Sequence, residues 1–233
     1  DNESFFLESS NGNFSPPYDL GFNEGVGGRF LSLLLLADDT KIKPELVDAT
    51  LTTLESVVSA IENEHINQFG GLDIMSGLSG LAGGVHAWSS HQGISPEHPT
   101  LLRFWELVSR LLIDNQKPCG GWDVFETPVS GFAHGASGMI CALAISESHT
   151  NCNGIKTAIE KAIQFQLSNL SKSGEWLNLE LTRLEQTEIP TRTWCGGASG
   201  ALIAAAVMKK AGLEDIKGYK SWLGLARDAA LNH

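Results

Sequence analysis

The fold of this chain is decided by the stretch Trp194-Cys195-Gly196-Gly197-Ala198-Ser199-Gly200, in which a cysteine and a glycine turn precede an apolar run. The turn is repeated as Gly135-Ala136-Ser137-Gly138, and His134 stands immediately before that copy. Looser copies are Gly77-Leu78-Ser79-Gly80 and Gly25-Val26-Gly27-Gly28. Four copies of one motif in a single chain indicate a repeat architecture.

Two kinds of helix alternate along the repeats. The segment after each turn is rich in Gly, Ala and Ser and apolar nearly all round, which predicts a buried, closely packed helix. Its partner has a single apolar stripe, as in 44–61, where apolar residues recur at intervals of three and four. Alternating β-branched residues are nearly absent. The sequence therefore predicts an all-α protein with two helix layers, either a linear solenoid or an α/α toroid, and the varied loop lengths favour the toroid.

We predict a single domain over residues 1–233, with an irregular lead-in over 1–20 and helix pairs that start near residues 25, 77, 135 and 197. Glycine at each helix start predicts a sharp turn that leaves the first backbone N–H groups unpaired. If the four helices point the same way, their N-termini form a partly positive end suited to an anion. The alternative is that the glycines only allow close helix packing.

Composition excludes several classes of function. Apolar residues make up 42% of the chain and charged residues 18%, which favours a globular core. The net charge of −11 argues against a nucleic-acid or anionic-membrane surface, because such surfaces need clustered Lys and Arg. The apolar runs are too short or too interrupted to span a bilayer. Four cysteines are few for this length and indicate reduced thiols in the cytoplasm.

Two residues at the repeated turns could carry chemistry. Cys195 lies at a helix start, where the pKa of a thiol is lowered, so it could serve as a nucleophile or a zinc ligand; a buried, inert thiol is equally compatible. His134 also precedes a helix, whose dipole disfavours the imidazolium and predicts a neutral ring ready to accept a proton. A purely structural histidine is the alternative. Cys141, inside an apolar helix, is predicted to belong to the core.

Other candidate residues also have a structural alternative, which for Asp73 and Arg192 is the commoner outcome. Asp73, four residues before Gly77, is either a helix cap or a functional carboxylate. Arg192 could hold an anion or face solvent. Trp122 and Trp176 either line a cleft or pin their glycine-containing loops.

The ordered motifs resemble the lanthionine synthetase C-like family, which includes LanC and the cyclase domain of LanM. The resemblance is carried by Ser130–Gly138, by Trp194–Gly200 and, between them, by Ala158–Trp176. The stretch Asp73–Gly80 resembles an earlier Asp-containing motif of that family. Nearly the whole chain is covered.

The resemblance implies an α/α toroid with zinc at one end. It implies that Cys195 is a zinc ligand, His134 the active-site acid/base and Asp73 an active-site carboxylate. Enzymes of this family add a cysteine thiolate to dehydroalanine or dehydrobutyrine in a lanthipeptide precursor peptide, which closes a thioether ring. Zinc lowers the pKa of the thiol, and a proton donor quenches the enolate. Resemblance to LanM-type enzymes also implies an N-terminal dehydratase domain as a partner.

The chain departs from the family pattern at two places. The family's adjacent Cys-His pair, which supplies the other two zinc ligands, is absent; we expect it beyond His233, so that this chain is C-terminally truncated, its toroid is incomplete, and alone it binds zinc weakly and does not cyclise. The family arginine stands three residues before the tryptophan, where this chain has Thr191. Arg192, one residue nearer, is the matching candidate.

Two alternative functions stay open from sequence. One is a zinc-free relative whose toroid binds a peptide without catalysing addition. The other is an unrelated α/α-toroid enzyme acting on carbohydrate, which would need two carboxylates in one cleft. The glycine-turn motifs supply only Asp73 and Glu24 for that purpose.

Overall fold

The computed structural model describes residues 20–23, 25–36, 43–63, 71–124 and 127–231, with the backbone alone at 34–36. These ranges contain nine α-helices and no strand, only isolated antiparallel bridges. The helices, in chain order, are α1 Val26–Leu36, α2 Pro44–Asn63, α3 Leu78–Gln92, α4 Pro99–Asp114, α5 Ala136–Glu147, α6 Ile155–Ser168, α7 Leu179–Glu185, α8 Ala198–Lys210 and α9 Tyr219–Leu231.

The helices form the two layers of an α/α toroid, which confirms the predicted fold class. Helices α1, α3, α5 and α8, each of which follows a glycine turn, contact one another in that order. Helices α2, α4, α6 and α9 form a second row in the same order. The two rows pack together through pairs such as α5 with α6 and α8 with α9.

The two layers differ in burial as their sequences predict. Every residue of α5 from Ala136 to Ser146 is buried, because this helix is enclosed on all sides. In α4 the buried residues form one stripe that includes Leu101, Trp105 and Leu112. The first layer is therefore the interior of the protein and the second covers it.

Each glycine turn folds its loop back over the first turn of its helix. The motif serine donates from Oγ to the carbonyl oxygen seven residues earlier, over 2.6 Å at Ser79, 3.0 Å at Ser137 and 2.7 Å at Ser199. At the last glycine of the motif, a Cβ atom would overlap the carbonyl oxygen six residues earlier. This holds in all four units, at Gly28, Gly80, Gly138 and Gly200. The motif is thus explained by close contact between backbones.

The first N–H groups of α3 and α5 are paired, so the prediction that they stay unpaired is wrong for these two units. Leu78 N donates to Gly71 O over 3.0 Å, and Ala136 N donates to Val129 O over 2.9 Å. Ser137 N likewise donates to Ser130 O over 3.2 Å. Because each loop satisfies the helix start that follows it, these N-termini do not offer the expected anion site.

Backbone hydrogen bonds join the four turns side by side. Leu20 N donates to Ser76 O over 3.0 Å, Ile74 N donates to Ala133 O over 3.1 Å, and Ala133 N donates to Cys195 O over 3.1 Å. The prediction that four helix N-termini gather at one end is therefore confirmed.

The region between α6 and α8 differs from the predicted loop, because it contains helix α7. Asn178 caps this helix, and its Oδ1 accepts a hydrogen bond from Leu181 N over 3.0 Å. Trp122 and Trp176 are both fully buried, so they pin their loops and do not line a cleft. Residues 1–19, Glu24 and 232–233 lie outside the described residues, and the irregular lead-in stays a prediction.

We expect Gly138→Ala to destabilise the protein, because the added methyl group would overlap Phe132 O and lie 2.6 Å from Ile74 Cγ1. Overpacking of this kind costs about 1–3 kcal/mol, and at this chain length each kcal/mol lowers Tm by roughly 2–4 °C. Thermal unfolding followed by circular dichroism measures the change.

The matched control is Gly224→Ala in α9, where a Cβ would meet no described atom within 4 Å. Here alanine should stabilise the folded protein by about 0.5–1 kcal/mol, because its helix propensity is higher than that of glycine. If the two variants have the same Tm, the close-contact explanation of the motif is wrong.

Candidate functional site

The turns of the second and third units bring Asp73 and His134 together. His134 Nδ1 lies 2.6 Å from Asp73 Oδ2, although the residues are 61 positions apart. Ile74 N and Met75 N both donate to Ala133 O, over 3.1 and 3.2 Å, so the backbones on either side of the pair are also joined. The contact is therefore built by the interlocked turns.

Asp73 closes the loop before α3 and is also the partner of His134. Its residue is only 3% exposed, and its Oδ1 accepts from Ser76 N over 2.7 Å and from Gly77 N over 3.1 Å. The other carboxylate oxygen faces the imidazole. The side chain is thus not the cap of α3, whose N-cap residue is Gly77 and has no side-chain cap hydrogen bond, and the functional role of Asp73 stays a prediction. Because it is held at both oxygens, the carboxylate fixes the orientation of the ring.

The pKa of His134 is raised above its ordinary value, which corrects the prediction of a neutral ring. The hydrogen bond to Asp73 is the largest cause; burial of the half-exposed ring opposes it, and the negative charges of Asp73 and Glu180 add to the rise. The prediction failed because a carboxylate in direct contact has a stronger effect than a helix dipole. The charge of Glu180, in α7, was missed because that segment was taken for a loop.

The sulfur of Cys195 is exposed, so the alternative of a buried, inert thiol is wrong. Its Sγ lies 3.2 Å from Thr193 Oγ1, and its carbonyl oxygen accepts the bond from Ala133 N described above. Cys195 therefore lies in the turn directly beside that of His134. Cys141 is buried as predicted, and burial raises the pKa of its thiol to about 12.

Arg192 lies in the segment leading to Cys195, where it forms an ion pair with Glu175. Its Nη2 is 2.9 Å from Glu175 Oε1, and its backbone carbonyl accepts the Ser199 hydroxyl. The predicted functional role of Arg192 stays a prediction.

The described part of the chain contains no group of three or more His, Cys, Asp or Glu side chains that could hold a metal ion. Cys195 provides one exposed sulfur of the type that zinc prefers. The residues described here thus do not complete a zinc site.

Two other histidines, His86 and His149, form a contact away from this site, and the sequence did not predict it. His86 Nδ1 is 3.2 Å from His149 Nε2, and the His149 ring stacks on Trp105 with centroids 4.7 Å apart. Burial lowers the pKa of both; Lys210 adds to the effect on His86, and His86 to that on His149. His86 stands about 12 Å along α3 from the glycine turn, at 1.5 Å rise per residue. The two histidines are 63 positions apart, and no sequence motif links them.

Among the described residues, no helix has the length and apolar character needed to cross a membrane.

The family model described as "Lanthionine synthetase C-like protein" matches residues 5–223 of the chain. A search of curated proteins gave no match.

We expect Asp73→Asn to lower the pKa of His134, because it removes the carboxylate charge and the acceptor at Oδ2. The substituted side chain keeps one oxygen for the N–H groups of Ser76 and Gly77, so the loop before α3 should keep its shape. The pKa is measured by NMR titration of the His134 ring. An unchanged pKa would show that Asp73 does not set it.

The same variant should change stability in a pH-dependent way. Since the folded pKa of His134 lies above the unfolded value of 6.5, its contribution to stability is present below that value. It is lost as the pH rises through the folded pKa. The difference in Tm between wild type and Asp73→Asn should thus be larger at pH 5.5 than at pH 8.5. Asp73→Ala, which also removes the acceptor of the Ser76 and Gly77 N–H groups, should lose about 1 kcal/mol more at either pH.

Proposed function

Because this chain belongs to the lanthionine synthetase C-like family, we propose that it takes part in forming thioether rings in a ribosomal precursor peptide. In the proposed reaction a substrate cysteine adds to dehydroalanine or dehydrobutyrine in the same peptide. The observation that carries this proposal is the 2.6 Å contact between His134 and Asp73, set in the turn beside the exposed Cys195.

The reaction needs one proton removed and one proton added. The cysteine thiol loses its proton to the surrounding water, its sulfur bonds to the β-carbon of the dehydro residue, and the electron pair of the double bond moves toward the α-carbon and its carbonyl. A proton on the α-carbon then completes the addition. We assign this proton to His134, because its raised pKa increases the fraction of imidazolium near neutral pH.

Asp73 supports this role in two ways. Its negative charge stabilises the imidazolium, and its hydrogen bond to Nδ1 holds the ring in one orientation. The reacting proton would consequently be carried on Nε2. Because two backbone N–H groups hold the opposite oxygen of Asp73, the carboxylate is kept in place as the ring changes its charge.

We further propose that Cys195 is one ligand of a zinc ion whose other ligands lie outside the described residues. When bound, zinc would lower the pKa of the substrate thiol and hold it as a thiolate. The exposed sulfur and its position beside the His134 turn support this assignment. A dehydratase domain on the same polypeptide and a cytoplasmic location belong to this proposal.

One observation favours a second candidate, a module that binds a peptide without catalysing addition. The described residues contain no three-ligand metal cluster, which a zinc-free relative would lack as well. Family membership argues against the third hypothesis, an unrelated carbohydrate enzyme.

We expect His134→Asn to slow ring formation by roughly 10²–10⁴-fold, the usual contribution of a positioned proton donor. The assay uses the chain extended past His233, where the remaining zinc ligands are expected, mixes it with zinc and a dehydrated cysteine-containing peptide, and counts unreacted thiols by alkylation and mass spectrometry. His91→Asn is the control, because His91 is an exposed histidine at the far end of α3. Equal rates for both variants would remove His134 from the reaction. Peptide binding without ring formation by wild type would favour the binding module.

Metal binding tests the role of Cys195 without relying on activity. Cobalt(II) added to the 233-residue chain should bind weakly and give a thiolate charge-transfer band in the near ultraviolet. The band should be lost in Cys195→Ala and kept in Cys119→Ala, whose cysteine is also exposed. Tight, stoichiometric zinc binding by this chain would contradict the expectation that ligands beyond it are needed.

A further inference from the structure

Gln166 is a fully buried polar residue of α6 that accepts hydrogen bonds from three directions. Its Oε1 lies 3.2 Å from Trp176 Nε1 and 3.1 Å from Trp222 Nε1. Ser137 Oγ lies 3.2 Å from the same oxygen. An indole N–H can only donate, so the atom that faces both tryptophans must be the amide oxygen. The amide nitrogen is buried and has no hydrogen-bond partner among the described residues.

The contact with Ser137 connects Gln166 to the turn that carries His134. Ser137 has one hydroxyl hydrogen, which it shares between Gln166 Oε1 and Ser130 O, 3.0 Å away. Ser137 N donates to the same carbonyl over 3.2 Å. Ser130 begins the turn that ends at Gly135, so Gln166 supports the loop that holds the imidazole against Asp73.

The contact with Trp176 connects Gln166 to the segment that leads to Cys195. Trp176 O accepts a hydrogen bond from Thr191 N over 2.7 Å, and Leu177 forms an antiparallel bridge with Pro190. The chain then reaches Thr193, whose Oγ1 lies 3.2 Å from Cys195 Sγ. The buried indole of Trp176 thus fixes the antiparallel pairing of 176–177 with 190–191, and the chain continues from this pairing to Cys195.

We propose that Gln166 is a positioning residue that fixes the His134 turn and the Cys195 turn relative to each other. Its importance for catalysis rests on the proposed function. The amide oxygen is the only part of the side chain with hydrogen-bond partners among the described residues, while the buried nitrogen is a cost. An apolar side chain of the same size would fill the space without that cost. The function of the amide is therefore to accept hydrogen bonds both from Ser137, in the His134 turn, and from Trp176, in the segment that leads to Cys195.

The test compares Gln166→Met, which keeps the volume and removes the acceptor, with Gln166→Glu, which keeps the acceptor oxygen. The carboxyl group of the glutamate keeps an oxygen that can accept hydrogen bonds from the three converging donors. Leu112→Ala is the stability control, because this fully buried residue of α4 belongs to the core and to neither the His134 turn nor the segment that leads to Cys195. All variants are made in the 233-residue chain for NMR and in the chain extended past His233 for ring formation, and they are compared at pH 7.5 and a temperature where each is folded.

The first readout is the proton resonance of the His134 ring N–H bound to Asp73, followed by NMR. We expect this resonance to broaden or shift upfield in Gln166→Met, to return in Gln166→Glu, and to stay in place in Leu112→Ala at equal or greater loss of Tm. An unchanged resonance in Gln166→Met, or the same change in Leu112→Ala, would overturn the proposal.

The second readout is ring formation. Because His134 and Cys195 would no longer be held in place, kcat of Gln166→Met should fall by roughly 10- to 100-fold, and KM should stay within about twofold of the wild-type value. If wild type forms rings and Gln166→Met keeps its kcat, the inference is overturned while the proposed function stands. If wild type forms no rings but the resonances behave as expected, the positioning role stands and the proposed function is wrong.

Discussion

The structure depends on main-chain hydrogen bonds that join one glycine turn to the next. Ala133 is central to them, because its carbonyl accepts from Ile74 N and Met75 N and its own N–H donates to Cys195 O. These bonds link units that are far apart in sequence and leave no room for side chains between them. A buried peptide group that loses its partner is costly, so each turn constrains the next. The positions of His134 and Cys195 follow from this constraint.

The charges of the site follow from the same arrangement. Asp73 is buried, yet its carboxylate is supported by two backbone N–H groups and by the imidazole of His134. These partners satisfy the carboxylate oxygens in a place that excludes water. The charge of the carboxylate in turn favours the charged form of the neighbouring ring. One buried residue thus joins the loop before α3 to the acid–base behaviour of His134.

The sequence predicted the features that repeat and missed those that occur once. The glycine turns located the starts of four helices and drew attention to His134 and Cys195, because a motif in four copies is visible in one chain. The resemblance placed His134 and Asp73 in one active site but did not predict their contact. The predicted direction of the pKa shift of His134 was wrong, because the helix dipole can be inferred from the local sequence and a carboxylate from another unit cannot. Gln166 gave no signal, since a single glutamine in an amphipathic helix looks like any surface residue. The His86–His149 pair was hidden for the same reason.

The overlap that a side chain would cause at Gly138 or Gly200 has a wider consequence. The end of the toroid where the turns meet is assembled from peptide groups, whereas the side chains of the candidate site project from it. Loss of His134 or exchange of Cys195 would leave the path of the chain almost unchanged. Related proteins could therefore retain this architecture without the proposed reaction, or with another one at the same place. Shape alone is a poor guide to activity here, and the identities of a few projecting residues are the better one.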